Sequence, residues 1–395
     1  MRNETLDLPR RMLMGPGPSE VHPRVLAALS RPTLGHLDPA FVRLMDDIVH
    51  RLRTTFQTNN QLTFPVSAPG SAGMECCFVN LLEPGDSVIV CINGVFGMRM
   101  KENVERCGAT PIVVEDAWGT AVDPAKLSAA LKANPAVKTV AFVHAETSTG
   151  VQSDAAALCA VAREFGALTI VDTVTSLGGI DVNVGAWEAD AVYSGSQKCL
   201  SCPPGLSPVT FSERAAARVK ERRTKVQSWF LDLSLVMGYW GDGKGGGRTY
   251  HHTAPVNALY GLHEALLMLH EEGLEQAWRR HSLTHRALVA GVEAMGLKMK
   301  VDAAVRLPQL NLVEIPEGAA DATIRRRLLN EFNLEIGSGL GIWAGKVWRI
   351  GLLGQSATPA YVLACLTALE AVLHASGARI TAGRAYAAAH AVLNS

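Results

Sequence analysis

The sequence predicts an α/β fold in two parts: a large domain built on a helix-covered sheet, and a smaller α+β domain at the C-terminal side. Between about Leu62 and Ser212, seven short apolar runs alternate with segments of helical period. Runs apolar on both faces are what a sheet covered by helices on both sides demands. Beyond a Gly-rich stretch that begins at Gly241, helical and strand patterns come in clusters instead of alternating, which reads as α+β. The length of 395 residues agrees, because a single hydrophobic core usually stops growing before that size.

The seven runs are LTFPVSA, DSVIVCI, TPIVVE, KTVAFVHA, ALTIVDTV, AVYSGS and LSPVTFS. Helices are expected between them at Ala72 to Leu82, Pro124 to Ala133 and Asp154 to Phe165; the last has a polar start and apolar residues every three to four positions. A long helical pattern then runs from about Val256 through His285. It is followed by a strand-like LPQLNLVEIP, a charged helix around Asp321 to Asn330, a second strand KVWRIGLLG and a closing helix from Ala360 to His374. The boundary is placed near Glu272. Residues 21–272 are then the large domain, 273–395 the small one, and 1–20 an N-terminal arm. No internal repeat is visible.

Composition narrows the function. Hydrophobic residues make up 48% and charged residues 19% with no low-complexity tract, as in a soluble globular chain. A formal net charge of zero gives no general electrostatic reason for nucleic acid or an anionic membrane as a partner. Small-molecule chemistry gains weight. The first residues hold no apolar stretch of signal-peptide kind, no uncharged run approaches membrane-spanning length, and the final Val-Leu-Asn-Ser is no peroxisomal address. The eight cysteines are scattered and mostly embedded in apolar runs, which suits reduced core thiols. A cytoplasmic location is the simplest expectation.

The segment Tyr193-Ser-Gly-Ser-Gln-Lys198 ends a predicted strand and enters a loop that Pro203 and Pro204 keep from being helical. Ligands of open α/β sheets bind outside the carboxyl ends of strands, and a lysine there can form an imine with an aldehyde. Alone, Lys198 also reads as a surface lysine at a turn. Asp172 changes the balance. It ends the otherwise buried run ALTIVD, where an unpaired carboxylate is costly, so it needs a cation. The protonated pyridine nitrogen of pyridoxal phosphate is such a cation. The plainer alternative is an aspartate capping the next segment.

Pro69-Gly70-Ser71, between a strand and a helix, has the geometry in which free N–H groups bind an anion. A formal GxGxxG at Gly241, Gly243 and Gly246 follows no strand and is interrupted by charges, so it reads as a flexible loop and not as a dinucleotide fingerprint. His251 and His252 are adjacent on a segment read as extended, so they are expected to face opposite ways, and no carboxylate cluster accompanies them; no metal is expected. Cys199 and Cys202 form a CxxC without a second pair, and read as plain thiols of the loop.

In order and at consistent spacing, GPGPSEVHPRVL, APGSAGME, NGVFGMR, HAETSTG, VDTVTSLGG, YSGSQKCLSCPPG, TYHHTAPVNALYG and KVWRIGLLG resemble the class V aminotransferases of pyridoxal-phosphate fold type I. Among these, the alanine-glyoxylate and serine-glyoxylate enzymes are the most similar. The resemblance implies a large domain with a mainly parallel seven-stranded sheet, a smaller C-terminal α+β domain, and pyridoxal 5′-phosphate as cofactor. It makes Lys198 the Schiff-base lysine and Asp172 the partner of the pyridine nitrogen. Val174 would pack against one ring face and Phe96 against the other, where relatives often carry tryptophan. Thr147 matches the hydroxyl beside the ring oxygen, while Gly70, Ser71 and Gln197 match phosphate ligands. Tyr250 and Thr253 match groups that reach the phosphate of the neighbouring subunit, which implies a homodimer with shared sites.

Arg349 matches the arginine that grips the substrate carboxylate; its planar fork suits bidentate binding. The implied activity is ping-pong transfer of an amino group from alanine or serine to glyoxylate or pyruvate, with the freed Lys198 moving the α-proton. Ureidoglycine-glyoxylate and pyridoxamine-pyruvate aminotransferases are the near alternatives. The former tend to carry Asn at position 250 and Gln at position 36, the latter an acidic residue near Pro69; this chain has Tyr250, His36 and neither pattern. A lyase of the same fold, such as a cysteine desulfurase, would need a cysteine on the loop before Arg349, and GSGLGIWAGKVW has none.

Overall fold

The computed structural model describes residues 6–241 and 248–395. The glycine-rich loop expected at Gly243 and Gly246 lies outside them. Each of the seven apolar runs becomes a strand of one seven-stranded sheet. From edge to edge the strands are Leu62–Val66, Ser207–Phe211, Ala191–Tyr193, Leu168–Asp172, Thr139–Val143, Ser87–Ile92 and Thr110–Glu115. Six point the same way, and Ser207–Phe211 is antiparallel to both of its neighbours. The mainly parallel sheet implied by the resemblance is therefore present.

Why these runs become sheet strands is visible in the burial of most of them. Leu62–Val66, Thr139–Val143 and Ser207–Phe211 are buried at every position, on both faces. The helices Gly70–Leu81, Val95–Arg106, Pro124–Ala133 and Ala155–Glu164 connect strands and pack on the sheet. Two of them start where a carboxylate can cap them: Asp123 accepts from Ala125 N at 2.8 Å, and Asp154 from Ala157 N at 3.0 Å. Helices Pro23–Leu29 and Pro39–Phe56, not anticipated from periodicity, pack on the helix Val256–Glu272.

The long helical pattern from Val256 is two helices, Val256–Glu272 and Leu274–Ala294. Gly273 divides them at φ +87°, a left-handed conformation that glycine adopts without a Cβ penalty. A second hydrophobic cluster follows. The strands Leu310–Glu314, Val347–Gly351 and Gly337–Ser338 form a three-stranded antiparallel sheet. Trp348, Val313 and Ile350 from it pack with Leu288, Leu328 and Leu366 of the surrounding helices. Met14, from the first residues of the chain, joins the same cluster, and Met12–Leu13 pairs in parallel with Leu334–Glu335. A closing helix Ala385–Leu393 packs beside Leu274–Ala294. Among the described residues, no helix is long and apolar enough to cross a membrane.

Candidate active site

The six co-directional strands end on one edge of the sheet, and a predicted site residue follows several of those ends closely. Gly70 comes soon after Val66, Phe96 after Ile92, Thr147 after Val143 and Lys198 after Tyr193, while Asp172 is itself the last residue of its strand. Together with Ser71, Val174 and Gln197 they line one cavity of about 230 Å³. Eight of the eleven residues singled out in the sequence meet there. Pro69, Met74, Arg99 and Tyr193 complete its wall.

Asp172 is almost fully buried, at 3% exposure. Its Oδ1 accepts from Val174 N at 2.8 Å and its Oδ2 from the Tyr193 hydroxyl at 2.7 Å. Burial raises its pKa from 3.8 to about 7, against these two donors. Such a group asks for a cation. Lys198 lies at the same cavity, half-buried, with its pKa lowered to about 8, first by burial and then by Arg349. Its Nζ donates to the carbonyl of Pro16, so the first residues of the chain roof the amine. Its backbone is fastened too: Ser19 Oγ donates to Lys198 O at 2.7 Å, and Ser19 N to Gln197 O at 2.9 Å.

Gly70 begins the helix Gly70–Leu81, whose N-terminus has no side-chain cap. Orphan N–H groups and a hydroxyl at Ser71 are therefore aimed where an anion can sit. The Oε1 of Gln197 is buried without a partner. Phe96, near the start of Val95–Arg106, carries the Arg99 guanidinium 4.8 Å from its ring centroid. Arg349 is buried at 7% exposure, donating from Nε to Ser338 O at 2.7 Å and from Nη1 to Thr147 O at 3.3 Å. No carboxylate pairs with it among the described residues. Burial lowers its pKa to about 10.

Tyr250 and Thr253 stand outside this cavity, both exposed. The histidines between them do not face apart as expected. The chain bends at His252, bringing the two Nδ1 atoms to 2.8 Å, and His252 Nε2 reaches Ser67 Oγ at 2.7 Å. Cys199 and Cys202 are buried, and desolvation pushes both thiols up to about 12. Sequence reasoning missed Tyr193 as the partner of Asp172, Ser19 as a clasp on the lysine loop, and Glu146. Only Tyr193 left a readable signal, since it closes the run next to the one that Asp172 closes.

The family model for aminotransferase class-V matches residues 23–342. The chain belongs to the class-V aminotransferases. It is 40% identical to the ureidoglycine-glyoxylate aminotransferase of Bacillus subtilis, whose crystal structure superposes with a TM-score of 0.96 over 99% of this chain and 100% of that one. An alanine-glyoxylate aminotransferase from Nostoc sp. is 45% identical, with a TM-score of 0.92 over 94% of this chain and 98% of that one. The alanine-glyoxylate aminotransferase of Drosophila melanogaster is 38% identical over 94% of each chain.

This class-V aminotransferase is therefore a pyridoxal-phosphate transaminase, and its cavity fits the cofactor. The buried Asp172 carboxylate suits a cationic ring nitrogen, the uncapped helix at Gly70 suits a phosphate, and the lysine amine held near neutrality suits an aldehyde.

Proposed function

We propose that this transaminase moves the amino group of a small uncharged amino acid, L-alanine or L-serine, to glyoxylate or pyruvate in a ping-pong cycle. The observation that carries the reading is Arg349. A buried guanidinium with no carboxylate in ion-pair contact is costly unless a ligand charge completes it, and its planar fork matches one carboxylate. Its contact with Thr147 O ties that carboxylate's position to the wall of the cofactor cavity.

When bound, the cofactor supplies an aldehyde that takes up the amino group and a ring that accepts electrons from the bond to the α-proton. The chain does the rest. Asp172 would hold the ring nitrogen protonated, Phe96 and Val174 would flank the ring, and Gly70, Ser71 and Gln197 would hold the phosphate. Lys198, with a pKa near 8, moves the α-proton as general base and then acid.

The reading includes a homodimer with shared sites. Tyr250 is 63% exposed and Trp229, stacked on His251, is 62% exposed, which supports a second copy of the chain covering this face. It also includes a reducing, cytoplasmic location, supported by eight cysteines that are all free and buried. A second reading, ureidoglycine as donor, is favoured by the likeness to the Bacillus subtilis enzyme. Against it, His36 and Tyr250 stand ring to ring at 5.2 Å where that group tends to carry glutamine and asparagine.

Steady-state assays of L-alanine, L-serine, L-aspartate, L-glutamate and ureidoglycine, each against glyoxylate, pyruvate and 2-oxoglutarate, test the proposal. Alanine or serine with glyoxylate is expected to give the highest kcat/KM, because Arg349 takes one carboxylate and the other arginine of the cavity wall, Arg99, is held over the Phe96 ring. Glutamate with 2-oxoglutarate as the best pair refutes the small-substrate pocket; ureidoglycine as the best donor selects the second reading.

A further inference from the structure

The helix Val95–Arg106 is capped from a distant part of the chain. Gly94 precedes it and offers no side-chain cap. Instead Ser148 Oγ accepts from Val95 N at 2.9 Å, and Glu146 Oε2 accepts from Phe96 N at 3.1 Å and Gly97 N at 3.4 Å. The other carboxylate oxygen, Oε1, accepts from Ser148 N at 3.0 Å and from the Ser148 hydroxyl at 2.6 Å. Both residues are completely buried. A Cβ at Gly94 would come within 2.5 Å of the Glu146 carboxyl carbon and of Ser148 Oγ, so only glycine lets the loop close on the helix.

Two things make this more than a helix cap. Phe96 is the second residue of the capped helix and its ring lines the cofactor cavity. Thr147, between the two capping residues, faces that cavity: its hydroxyl bonds that of Thr175, and its carbonyl accepts from Arg349. One tripeptide thus fixes the ring-facing wall, the hydroxyl beside the ring and the substrate-binding arginine. A carboxylate is the group that can do this, because both oxygens must accept and neither side offers an acceptor. Its charge also favours the cationic form of Arg349.

We propose that Glu146, with Ser148, is a positioning residue of the transamination site. It holds Phe96, Thr147 and Arg349 in one register while touching neither cofactor nor substrate. The proposal rests on Phe96 being a wall of the cofactor site.

A thermodynamic cycle tests it. Purified wild type, Glu146→Gln, Phe96→Ala and the double variant are stripped of cofactor and titrated with pyridoxal phosphate. The Kd and the induced visible circular dichroism of the bound form are recorded, and KM for L-alanine is measured separately from kcat. Gln presents donors where one carboxylate oxygen accepts. Glu146→Gln is therefore expected to raise the cofactor Kd by about fivefold or more, alter the dichroism and raise KM, with the effect on Kd largely lost in the Phe96→Ala background. If Phe96→Ala alone changes nothing, the reading of Phe96 fails. If Phe96→Ala acts but Glu146→Gln leaves Kd and dichroism unchanged, or acts equally in both backgrounds, Glu146 only supports the fold and the proposal is overturned. Should Glu146→Gln not fold, Ser148→Ala enters the same cycle with the same criteria.

Discussion

The Tyr193 hydroxyl donates to Oδ2 of Asp172 at 2.7 Å, and the two residues are register partners at the ends of adjacent parallel strands. The contact steadies the carboxylate proposed to face the cofactor ring, and it opposes the burial that raises its pKa. Tyr193→Phe removes the donor and leaves the shape. A hydrogen bond to a charged group contributes about 1.5–3 kcal/mol, so the cofactor Kd is expected to rise by roughly one to two orders of magnitude. Spectrophotometric titration of the stripped protein checks this, and an unchanged Kd would reduce Tyr193 to a space-filling role.

Asp172 also links stability to pH. Its folded pKa of about 7 lies above the unfolded value of 3.8. Below the unfolded value both states carry the proton; between the two only the folded state does, so cofactor-free stability declines as pH rises toward 7 and then levels. Asp172→Asn abolishes this term. At pH 8 the cofactor-free variant is expected to be more stable than wild type by at least about 1 kcal/mol, or a few degrees in Tm, while still binding cofactor but activating it poorly. Thermal melts at pH 5 and pH 8 decide it; a variant that is less stable at both would mean the carboxylate has a cationic partner in the cofactor-free protein.

Lys198 supplies a kinetic test. Only its neutral amine attacks an aldehyde, and its pKa is lowered to about 8 from 10.5. The association rate of pyridoxal phosphate with stripped enzyme should climb with pH and level off above about pH 8, followed by stopped-flow absorbance. A rate still rising at pH 10 contradicts the lowered pKa. Lys198→Ala should retain less than about one hundredth of the transamination rate, the loss of an acid/base group alone accounting for that much.

The proposed sharing of sites between two copies has its own test. Mixing a Lys198→Ala chain with a Tyr250→Phe chain should yield heterodimers holding one site with both defects and one with neither. Provided that Tyr250→Phe is inactive alone and subunits exchange, activity should reach about one quarter of wild type, since half the chains pair as heterodimers and each carries one intact site. No recovery would mean that Tyr250 serves its own chain.

The sheet was legible because most of its strands are buried on both faces, which writes each of these as an unbroken apolar run. Asp172 stood out for the same reason, as a carboxylate closing such a run. Gly273 hid the break between two helices, because the apolar period continues across it and only the backbone angle changes direction. Glu146 lies within HAETSTG yet carries no signal of its own, since its partners Phe96 and Gly97 lie 50 and 49 residues earlier. Residues that act through the backbone of a distant segment leave no local pattern, whereas the residues that line the cavity cluster after strand ends and can be read.

The roof over Lys198 carries a consequence for how the chain is made. Pro16 and Gly17 lie against the lysine amine, and a Cβ at Gly17 would collide with it. That roof is tied down by late residues: Asn333 O accepts from Met12 N at 2.7 Å, Gly351 N donates to Met14 O at 2.7 Å, and the Ser356 hydroxyl donates to Leu13 O at 2.7 Å. Synthesis proceeds from the N-terminus, and the whole seven-stranded sheet has left the ribosome long before Gly351 does. For that interval a nascent chain can clasp the lysine loop through Ser19 alone, while Met12, Leu13 and Met14, which set the roof over the amine, find their partners only when translation is almost over.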